Sequence, residues 1–280
     1  MTDPIVLTVG SLHYDIMVEA SHLPRKDETA VGTRWYPKFG GKGGNQAVSC
    51  ARHGAASRKV GAVGQDNFAP FLRAGLAAAD VDHRFVVDCA APSGMSVAIM
   101  DAAGDYAATI VSGANLMIST EALHDPAVWS DVALLILQNE IPEPVNLVAA
   151  TEARARGIPV LLNAAPARDM SPAFKALVDI LVVNAVEAEM MGADPVCCLH
   201  SAANAARSLA AHFETVIVTA GAQGLAAWSA ADEAFQLPAV KVNAISSHGA
   251  GDAFIGALAA GLVQRLDLRA ACTKAAQAAA

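Results

Sequence analysis

Two glycines stand just before an acid near the end of the chain, in the segment Gly249-Ala250-Gly251-Asp252. The apolar run after Asp252 predicts a helix, and glycines at a helix start allow a tight turn while the first amide N–H groups stay free. Free amides bind an anion, and a carboxylate beside them accepts a proton. The pattern therefore fits phosphoryl transfer to a hydroxyl group. The alternative is an aspartate that only caps the helix.

A second glycine-rich segment, 40–44, also precedes a predicted helix, which runs to about His53 and ends at Gly54. Its spacing is not that of a Walker A loop, G-x-x-x-x-G-K-[ST], so it does not predict a P-loop nucleotide site. Glycines here allow backbone amides to approach the hydroxyl groups of a sugar, and Lys42 and Asn45 add donors. The alternative is a glycine-rich turn with a solvated lysine.

The elements that must position these segments alternate in type along the chain. Short apolar runs rich in β-branched residues are separated by amphipathic stretches such as 142–156 and 201–212, which predicts an α/β fold with a mostly parallel sheet covered by helices. Alanine-rich stretches at 73–79 and 270–280 are interpreted as helices packed on that sheet. The predicted strands lie at 5–9, 59–63, 132–137, 158–162, 179–183 and 215–219.

One part of the chain breaks this alternation. Strand-like runs at 94–101 and 105–111 are joined by Ala102-Ala103-Gly104, which predicts a hairpin rather than a crossover connection. Extended segments near 14–20 and 31–37 are expected to join the hairpin in a small accessory sheet.

The accessory sheet is interpreted as a lid. It would consist of segments roughly 12–38 and 93–112, within a single α/β domain of residues 1–280. A lid that closes over the strand ends excludes water, which a phosphoryl-transfer site requires. The alternative is a hairpin without a role in the reaction.

Composition excludes several classes of protein. With 54% hydrophobic and 16% charged residues, the 280-residue chain is able to bury a large core, so disorder is not expected. The net charge of −8 argues against a nucleic-acid partner and favours a small molecule. The apolar run 5–9 is too short for a signal core or a membrane span. Five cysteines without metal-ligand spacing fit a reducing compartment, and we expect a cytoplasmic protein.

The two glycine-rich segments together resemble the paired signatures of the ribokinase, or PfkB, carbohydrate kinase family: G-G-K-G-x-N near the start and G-A-G-D near the end. The resemblance covers nearly the whole chain, and the form of the first signature is closer to ribokinase than to phosphofructokinase or adenosine kinase. Further stretches that resemble the family are Val9-Gly10-Ser11, Gly113-Ala114-Asn115, Leu137-Gln138-Asn139-Glu140, Leu162–Arg168, Asn184-x-x-Glu187 and Thr219–Gly224.

This resemblance implies a ribokinase-like three-layer sandwich and transfer of phosphate from ATP, with Mg²⁺, to a primary hydroxyl of a pentose such as ribose. Asp252 would be the general base, and the amides of Gly249, Ala250 and Gly251 the anion hole. Sugar contacts would be His13, Asp15, Gly41, Lys42, Asn45 and Glu140. The nucleotide would contact Asn184, Thr219, Gly221, Gly224, His248 and Gln277, and Glu187 would serve the metal. Two alternatives stay open: a nucleoside kinase of the same family, and a non-catalytic sugar- or nucleotide-binding protein on this fold.

Three features depart from the family pattern. His13 stands where ribokinases usually have asparagine, which leaves the identity of the sugar open. Ser246 replaces an aspartate that belongs to a monovalent-cation site, so we predict little or no dependence on K⁺. The chain ends at Ala280, where relatives continue, so its C-terminal end is expected to be incomplete relative to the family. The sequence leaves the oligomeric state open. The resemblance suggests a homodimer through the lid, which would cover an otherwise exposed sheet.

Overall fold

The computed structural model describes residues 3–103, 105–231, 233–242 and 249–280. These ranges hold two sheets and the helices that cover the larger one. The strands are Ile5–Val9 (β1), His13–Ala20 (β2), Gly32–Gly40 (β3), Ala56–Gly64 (β4), Asp82–Cys89 (β5), Met95–Met100 (β6), Tyr106–Val111 (β7), Val132–Gln138 (β8), Val160–Asn163 (β9), Ile180–Asn184 (β10), Thr215–Thr219 (β11), Gly224–Ser229 (β12) and Phe235–Pro238 (β13).

Helices fill the connections between strands. The α-helices are Lys42–Arg52 (α1), Ala69–Ala77 (α2), Pro126–Trp129 (α3), Glu143–Ala155 (α4), Pro172–Lys175 (α5), Ala185–Met190 (α6), Leu199–Leu209 (α7), Ala250–Val263 (α8) and Leu268–Ala279 (α9). Short 3₁₀ helices lie at Gly113–Met117, Glu121–His124 and Gly221–Gln223. The predicted helices are present, including the one expected to end at Gly54, whose φ of +83° places it in the left-handed region.

The larger sheet has nine strands in the order β13-β12-β11-β10-β9-β8-β1-β4-β5. Seven neighbouring strands of this sheet run parallel to one another: β11, β10, β9, β8, β1, β4 and β5. At one edge, β12 pairs with β11 and β13 pairs with β12, both in antiparallel orientation. All of the predicted strands are present. The predicted fold class, a mostly parallel α/β sandwich with a small second sheet, is confirmed.

Both faces of this sheet are buried, which explains the continuous apolar runs. In β8, Leu135 and Leu137 pack into the cluster formed with α4 and α7, whereas Leu134 and Ile136 pack on the opposite face against α8 and α9. A strand buried on both sides has no polar face, so its sequence does not alternate. The sheet therefore forms the middle layer of three.

The smaller sheet has the strand order β3-β2-β6-β7. Strands β6 and β7 form the predicted antiparallel hairpin, and β2 joins β6 in parallel and β3 in antiparallel orientation. Strands β2 and β3 lie between β1 and α1 in the chain, whereas β6 and β7 follow β5. Because β1 and β5 both lead into this sheet, the small sheet lies at the edge where the parallel strands end. The segments expected to form a lid therefore form this sheet, and their role as a lid stays a prediction.

A close helix contact connects the two glycine-rich segments. Helices α1 and α8 pack so tightly that a Cβ atom added at Gly256 would overlap the side chain of Ser49. The Ser49 hydroxyl donates to the carbonyl oxygen of Ala253 at 2.9 Å. Glycine at this crossing lets the two backbones approach, and it brings the first turns of α1 and α8 side by side.

The helices and the cysteines bear on two further features of the chain. Across the described ranges, none of the helices combines the length and the apolarity needed to cross a bilayer. The five cysteines all lie within those ranges, and each is a free thiol.

Candidate active site

The first turn of α8 carries the predicted anion hole. Its N-cap residue, Gly249, has φ +89°, and no side chain of the described residues caps it. Ala250, Gly251 and Asp252 form the first turn, so their amides have no partner within the helix. The positive end of the helix dipole lies at the same point. This turn is therefore built to receive an anion.

The Asp252 carboxylate does not cap its own helix. Its Oδ2 accepts a hydrogen bond from the side-chain amide of Asn45 at 3.0 Å, and its Oδ1 accepts one from the side-chain amide of Gln46, also at 3.0 Å. Both donors belong to α1, more than two hundred residues away in sequence. The capping alternative for Asp252 is thereby excluded.

Burial sets the proton affinity of Asp252. Only 8% of the residue is exposed, and this desolvation raises the pKa of the carboxyl above its usual range. The Lys42 ammonium and the two amides act in the opposite direction, while the Glu140 carboxylate adds to the increase. A carboxylate with raised proton affinity is suited to accept a proton from a hydroxyl group.

Glu140 connects the ends of two strands with the start of α1. Its Oε2 accepts hydrogen bonds from the hydroxyl of Ser11 and from the backbone amide of Lys42, the latter at 2.8 Å. The Ser11 hydroxyl in turn accepts from the backbone amide of Gly43 at 3.2 Å. A side chain at Gly43 would collide with the backbone of Gly10 and Ser11, so glycine is required here.

His13 and Asp15 enter the same region from β2. Both side chains are buried, and His13 Nδ1 lies 4.0 Å from Glu140 Oε2. His13 Nε2 is buried and meets no hydrogen-bond partner among the described residues. Asp15 Oδ1 accepts a hydrogen bond from the hydroxyl of Ser96 on β6. The small sheet thus contributes an imidazole and a carboxylate to the site.

Asn115 fixes the segment between β1 and β2. Its Oδ1 accepts from the backbone amide of Leu12 at 2.8 Å, and its Nδ2 donates to the carbonyl oxygen of Leu12 at 2.9 Å. This two-point contact holds the backbone immediately before His13. The stretch that resembles the family at 113–115 therefore has a structural role beside the site.

Four of the residues expected to contact the nucleotide lie at or just after the ends of the parallel strands β10 and β11. Asn184 and Thr219 are direct neighbours in the register of β10 and β11. Gly221 and Gly224, with φ of +53° and +115°, bound the turn that follows β11. A side chain at Gly224 would collide with the carbonyl oxygen of Leu237, so this turn also requires glycine.

Asn184 and Glu187 form a capping box at the start of α6. The Asn184 side chain accepts from the amide of Glu187, and a Glu187 carboxylate oxygen accepts from the amide of Asn184, both at 2.9 Å. Burial raises the pKa of Glu187, and the positive charge of Lys42 opposes that increase. Lys42 therefore interacts electrostatically with the acid on the nucleotide side.

The residues present fit a Mg²⁺ ion held mainly by a nucleotide. Within the described ranges, no three acidic, histidine or cysteine side chains are clustered so that they form a protein metal site. Mg²⁺ at phosphate sites usually keeps several waters and takes only one or two carboxylates from the protein. Glu187, with one oxygen engaged in the capping box, is able to supply one such contact.

One predicted residue within the described ranges, Gln277, is not connected to the site. Gln277 is exposed on α9, and no hydrogen bond joins it to the other candidates in the described part of the chain. His248 lies outside the described residues, as does Ser246. Every other residue predicted for the sugar or the base lies in the region around Glu140 and Asp252.

The prediction missed two contributors, Ser11 and Gln46. Both residues lie in or next to motifs that resemble the family. A serine or a glutamine beside glycine or alanine does not by itself indicate a functional role. The position of Gln46 does carry a signal. It lies on the buried face of α1, and a buried side-chain amide requires a hydrogen-bond partner.

The fold and this arrangement define an α/β phosphotransferase with an alcohol group as acceptor. A sequence profile of the pfkB family carbohydrate kinases matches residues 4–280, and the chain belongs to that family.

Relatives and solved structures agree with this assignment. A ribokinase of Mus musculus is 36% identical over 259 residues, covering 91% of this chain and 80% of that protein. A deoxyribokinase of Salmonella typhi is 33% identical over 275 residues, covering 96% of this chain and 89% of that protein. The structure of an Arabidopsis thaliana ribokinase complexed with ribose and ATP has a TM-score of 0.89 at 26% identity, covering 100% of this chain and 92% of that one.

Proposed function

We propose that this protein is an ATP-dependent kinase that phosphorylates a primary hydroxyl of a pentose such as ribose. The observation that carries the proposal is the Asp252 carboxylate at the start of α8, beside the free amides of its own helix and beside Asn45 of α1. A base and an anion hole that share one helix end are the two elements that phosphoryl transfer requires.

In this proposal Asp252 accepts the proton of the attacking hydroxyl. The amides of residues 249–252 stabilise the negative charge on the group in transfer. Because Asp252 is buried, its carboxylate has few waters to displace when the hydroxyl approaches, and its raised pKa favours proton uptake.

The sugar would lie between the small sheet and the start of α1. His13 and Asp15 supply buried polar groups from β2, and Glu140 adds a carboxylate from the turn after β8. The start of α1 adds Lys42, Asn45 and the amide of Gly41. Buried polar groups reward a polyol for each hydroxyl that pairs with them and penalise a ligand that leaves them unpaired. The unpartnered Nε2 of His13 is one such group.

ATP would contact the ends of β10 and β11 and the glycine turn that follows. Asn184, Thr219, Gly221 and Gly224 place backbone and small polar groups at one edge of the sheet, as a phosphate chain requires. Mg²⁺ beside Glu187 would neutralise charge on the phosphates when the nucleotide is bound. The similar Arabidopsis thaliana ribokinase is complexed with both ribose and ATP, which supports a site for a sugar and a nucleotide.

The proposal is tested by ADP release with ribose, and by the variant Asp252→Asn. We expect a loss of turnover of about 10²- to 10⁴-fold, since only the base is removed, while the Kd for the sugar changes little. Asp179→Asn is a matched control. Asp179 is also buried, at 9% exposure, but it precedes the first residue of β10 and so lies at the end of this strand opposite to Asn184. Retained turnover in Asp252→Asn would contradict the assignment of the base.

A panel of acceptors distinguishes the alternatives. Deoxyribose is included because a deoxyribokinase is among the relatives, and His13 occupies a position that faces the acceptor in this proposal. A higher kcat/KM for a nucleoside than for any free pentose would favour a nucleoside kinase. Thermal stabilisation by a sugar without ADP release from any acceptor would favour a binding protein.

A further inference from the structure

Gln46 is an unusual residue in the interior of α1. It is fully buried, and its Nε2 donates to Asp252 Oδ1 at 3.0 Å. Its Oε1 has no hydrogen-bond partner among the described residues. A buried amide with one half unpaired is less favourable than an apolar side chain of the same shape. Packing alone therefore does not explain a glutamine at this position.

The two amides that bind Asp252 differ in their exposure. Asn45 is half-buried and donates to Oδ2, whereas Gln46 is fully buried and donates to Oδ1. Asn45 is therefore able to exchange its contact with Asp252 for one with a ligand. Gln46 is held by its surroundings and keeps its contact with Oδ1.

We infer that Gln46 is the positioning residue of the reaction: it holds Oδ1 of Asp252 so that Oδ2 faces the acceptor hydroxyl. This inference rests on the proposed function of Asp252. The hydrogen bond to Oδ1 opposes rotation of the carboxylate about its terminal bond, and Oδ2 keeps a lone pair for the incoming proton. Gln46 itself touches neither the acceptor nor the phosphate.

The hydrogen bond also tunes the base. A donor to a carboxylate favours the ionised form, so loss of the Gln46 donor raises the pKa of Asp252 further. The other charged groups that face Asp252 are Lys42, which lowers its pKa, and Glu140, which raises it. Both stay in place when Gln46 alone is replaced, so the change in proton affinity reports on Gln46.

The variant Gln46→Met removes the donor and keeps the approximate volume. We expect the acid limb of the kcat/KM profile to move to higher pH by about one unit, so that kcat/KM below that limb falls about tenfold. The Kd for the sugar should stay within about twofold, since Gln46 makes no ligand contact. A structural role alone would lower stability without moving the limb.

Gln138 offers a matched control. It is also fully buried, its Nε2 donates to the carbonyl oxygen of Val9 at 2.9 Å, and its Oε1 is likewise without a partner in the described ranges. Gln138→Met therefore removes a comparable buried hydrogen bond that does not involve Asp252. We expect a similar loss of stability and an acid limb at the wild-type pH.

A readout without turnover separates this inference from the proposed function. The Asp252 carboxyl can be titrated by ¹³C NMR or infrared spectroscopy in the absence of nucleotide, with Asp252→Asn to identify its signal. A raised midpoint in Gln46→Met supports the inference even if no acceptor is found. An unchanged midpoint overturns it even if the enzyme is an active pentose kinase.

Gln46→Glu covers the case in which Gln46→Met does not fold. Glutamate is nearly isosteric with glutamine and places a second carboxyl at hydrogen-bond distance from Asp252, where the pair shares one proton. We expect the acid limb of this variant to move further than that of Gln46→Met. A limb at the wild-type pH in Gln46→Glu would also overturn the inference.

Discussion

A Cβ atom added at Gly40 would overlap the carboxylate of Asp15. Gly40 is the last residue of β3, and Asp15 lies on β2 beside it. On the other side of β2, the Ser96 hydroxyl on β6 donates to the same carboxylate. Three strands of the small sheet therefore hold Asp15 in a space that only glycine leaves open.

Gly40→Ala should consequently weaken sugar binding. The new methyl group displaces Asp15, and a lost hydrogen bond to a charged group is worth about 1.5 to 3 kcal/mol, or roughly a tenfold to hundredfold rise in KM. The kcat at saturation should fall less, because the Asp252 base and its helix are untouched. Steady-state kinetics with ribose and calorimetric titration of the sugar measure the two effects.

Gly32→Ala is the control for this substitution. Gly32 starts the same strand, and its added Cβ would meet only Val18 and the backbone of Glu19, at 3.1 and 3.2 Å. We expect an unchanged KM there. An equal rise in KM for both variants would show that any insertion into the small sheet, rather than displacement of Asp15, weakens binding.

The burial of Lys59 predicts that the stability of the protein depends on pH. The side chain is fully buried under α1, and its ammonium donates to the carbonyl oxygens of Gly10 and Val60 at 2.6 and 2.7 Å. Burial lowers the pKa of Lys59 from 10.5 to about 7. Between these values the unfolded chain binds a proton that the folded chain lacks, so the free energy of unfolding rises with pH by at most about 1.4 kcal/mol per unit.

Urea unfolding at several pH values between 7 and 8.5 measures this slope. The pH range ends at 8.5 because burial raises the pKa values of the Cys50 and Cys272 thiols. As pH approaches 9, these two thiols lower the free energy of unfolding and so oppose the contribution of Lys59. Lys59→Met should be more stable than wild type at pH 7 and should lose most of the slope. Lys26→Met, at an exposed position, should keep it, and equal slopes for wild type and Lys59→Met would contradict the prediction.

Strong periodic signals made much of the fold predictable. Strands buried on both faces read as unbroken apolar runs, as in β8 and β11, and the hairpin of β6 and β7 was marked by its short connection. Strand β5 was not predicted, because its sequence, Asp82–Cys89, mixes charged and apolar residues at an edge of the sheet. Strand β12, Gly224–Ser229, is rich in alanine and glycine, which favour strands weakly.

The site was predictable where glycines and acids stood together, and less so where partners are distant. Asp252 and Asn45 were each marked by a glycine-rich helix start. Their hydrogen bond, and that of Gln46 with Asp252, depends on the crossing of α1 and α8 at Gly256, which no local pattern encodes. Specific contacts across 200 residues follow from packing, not from spacing along the chain.

The outer surface of the small sheet predicts a dimer. Trp35 is 64% exposed and Val111 is 51% exposed. The strand register places both side chains on the same face, one on each edge strand of that sheet. Exposed apolar side chains on an open sheet are a typical interface between protein copies. We expect Trp35→Glu to shift a dimer to a monomer in analytical ultracentrifugation. Arg34→Glu, which changes the neighbouring charge on the opposite face of β3, should leave the dimer intact.

The last prediction concerns monovalent cations and the position of Ser246, where the resemblance to the family implies an aspartate. A serine hydroxyl is a weaker ligand for a cation than a carboxylate, so turnover should change less than about twofold when K⁺ replaces a bulky organic cation at constant ionic strength. Ser246→Asp should introduce K⁺ activation if the rest of such a site is present. A many-fold rise in the turnover of the wild-type protein on adding K⁺ would contradict this prediction, because it would show that the cation is held without the carboxylate.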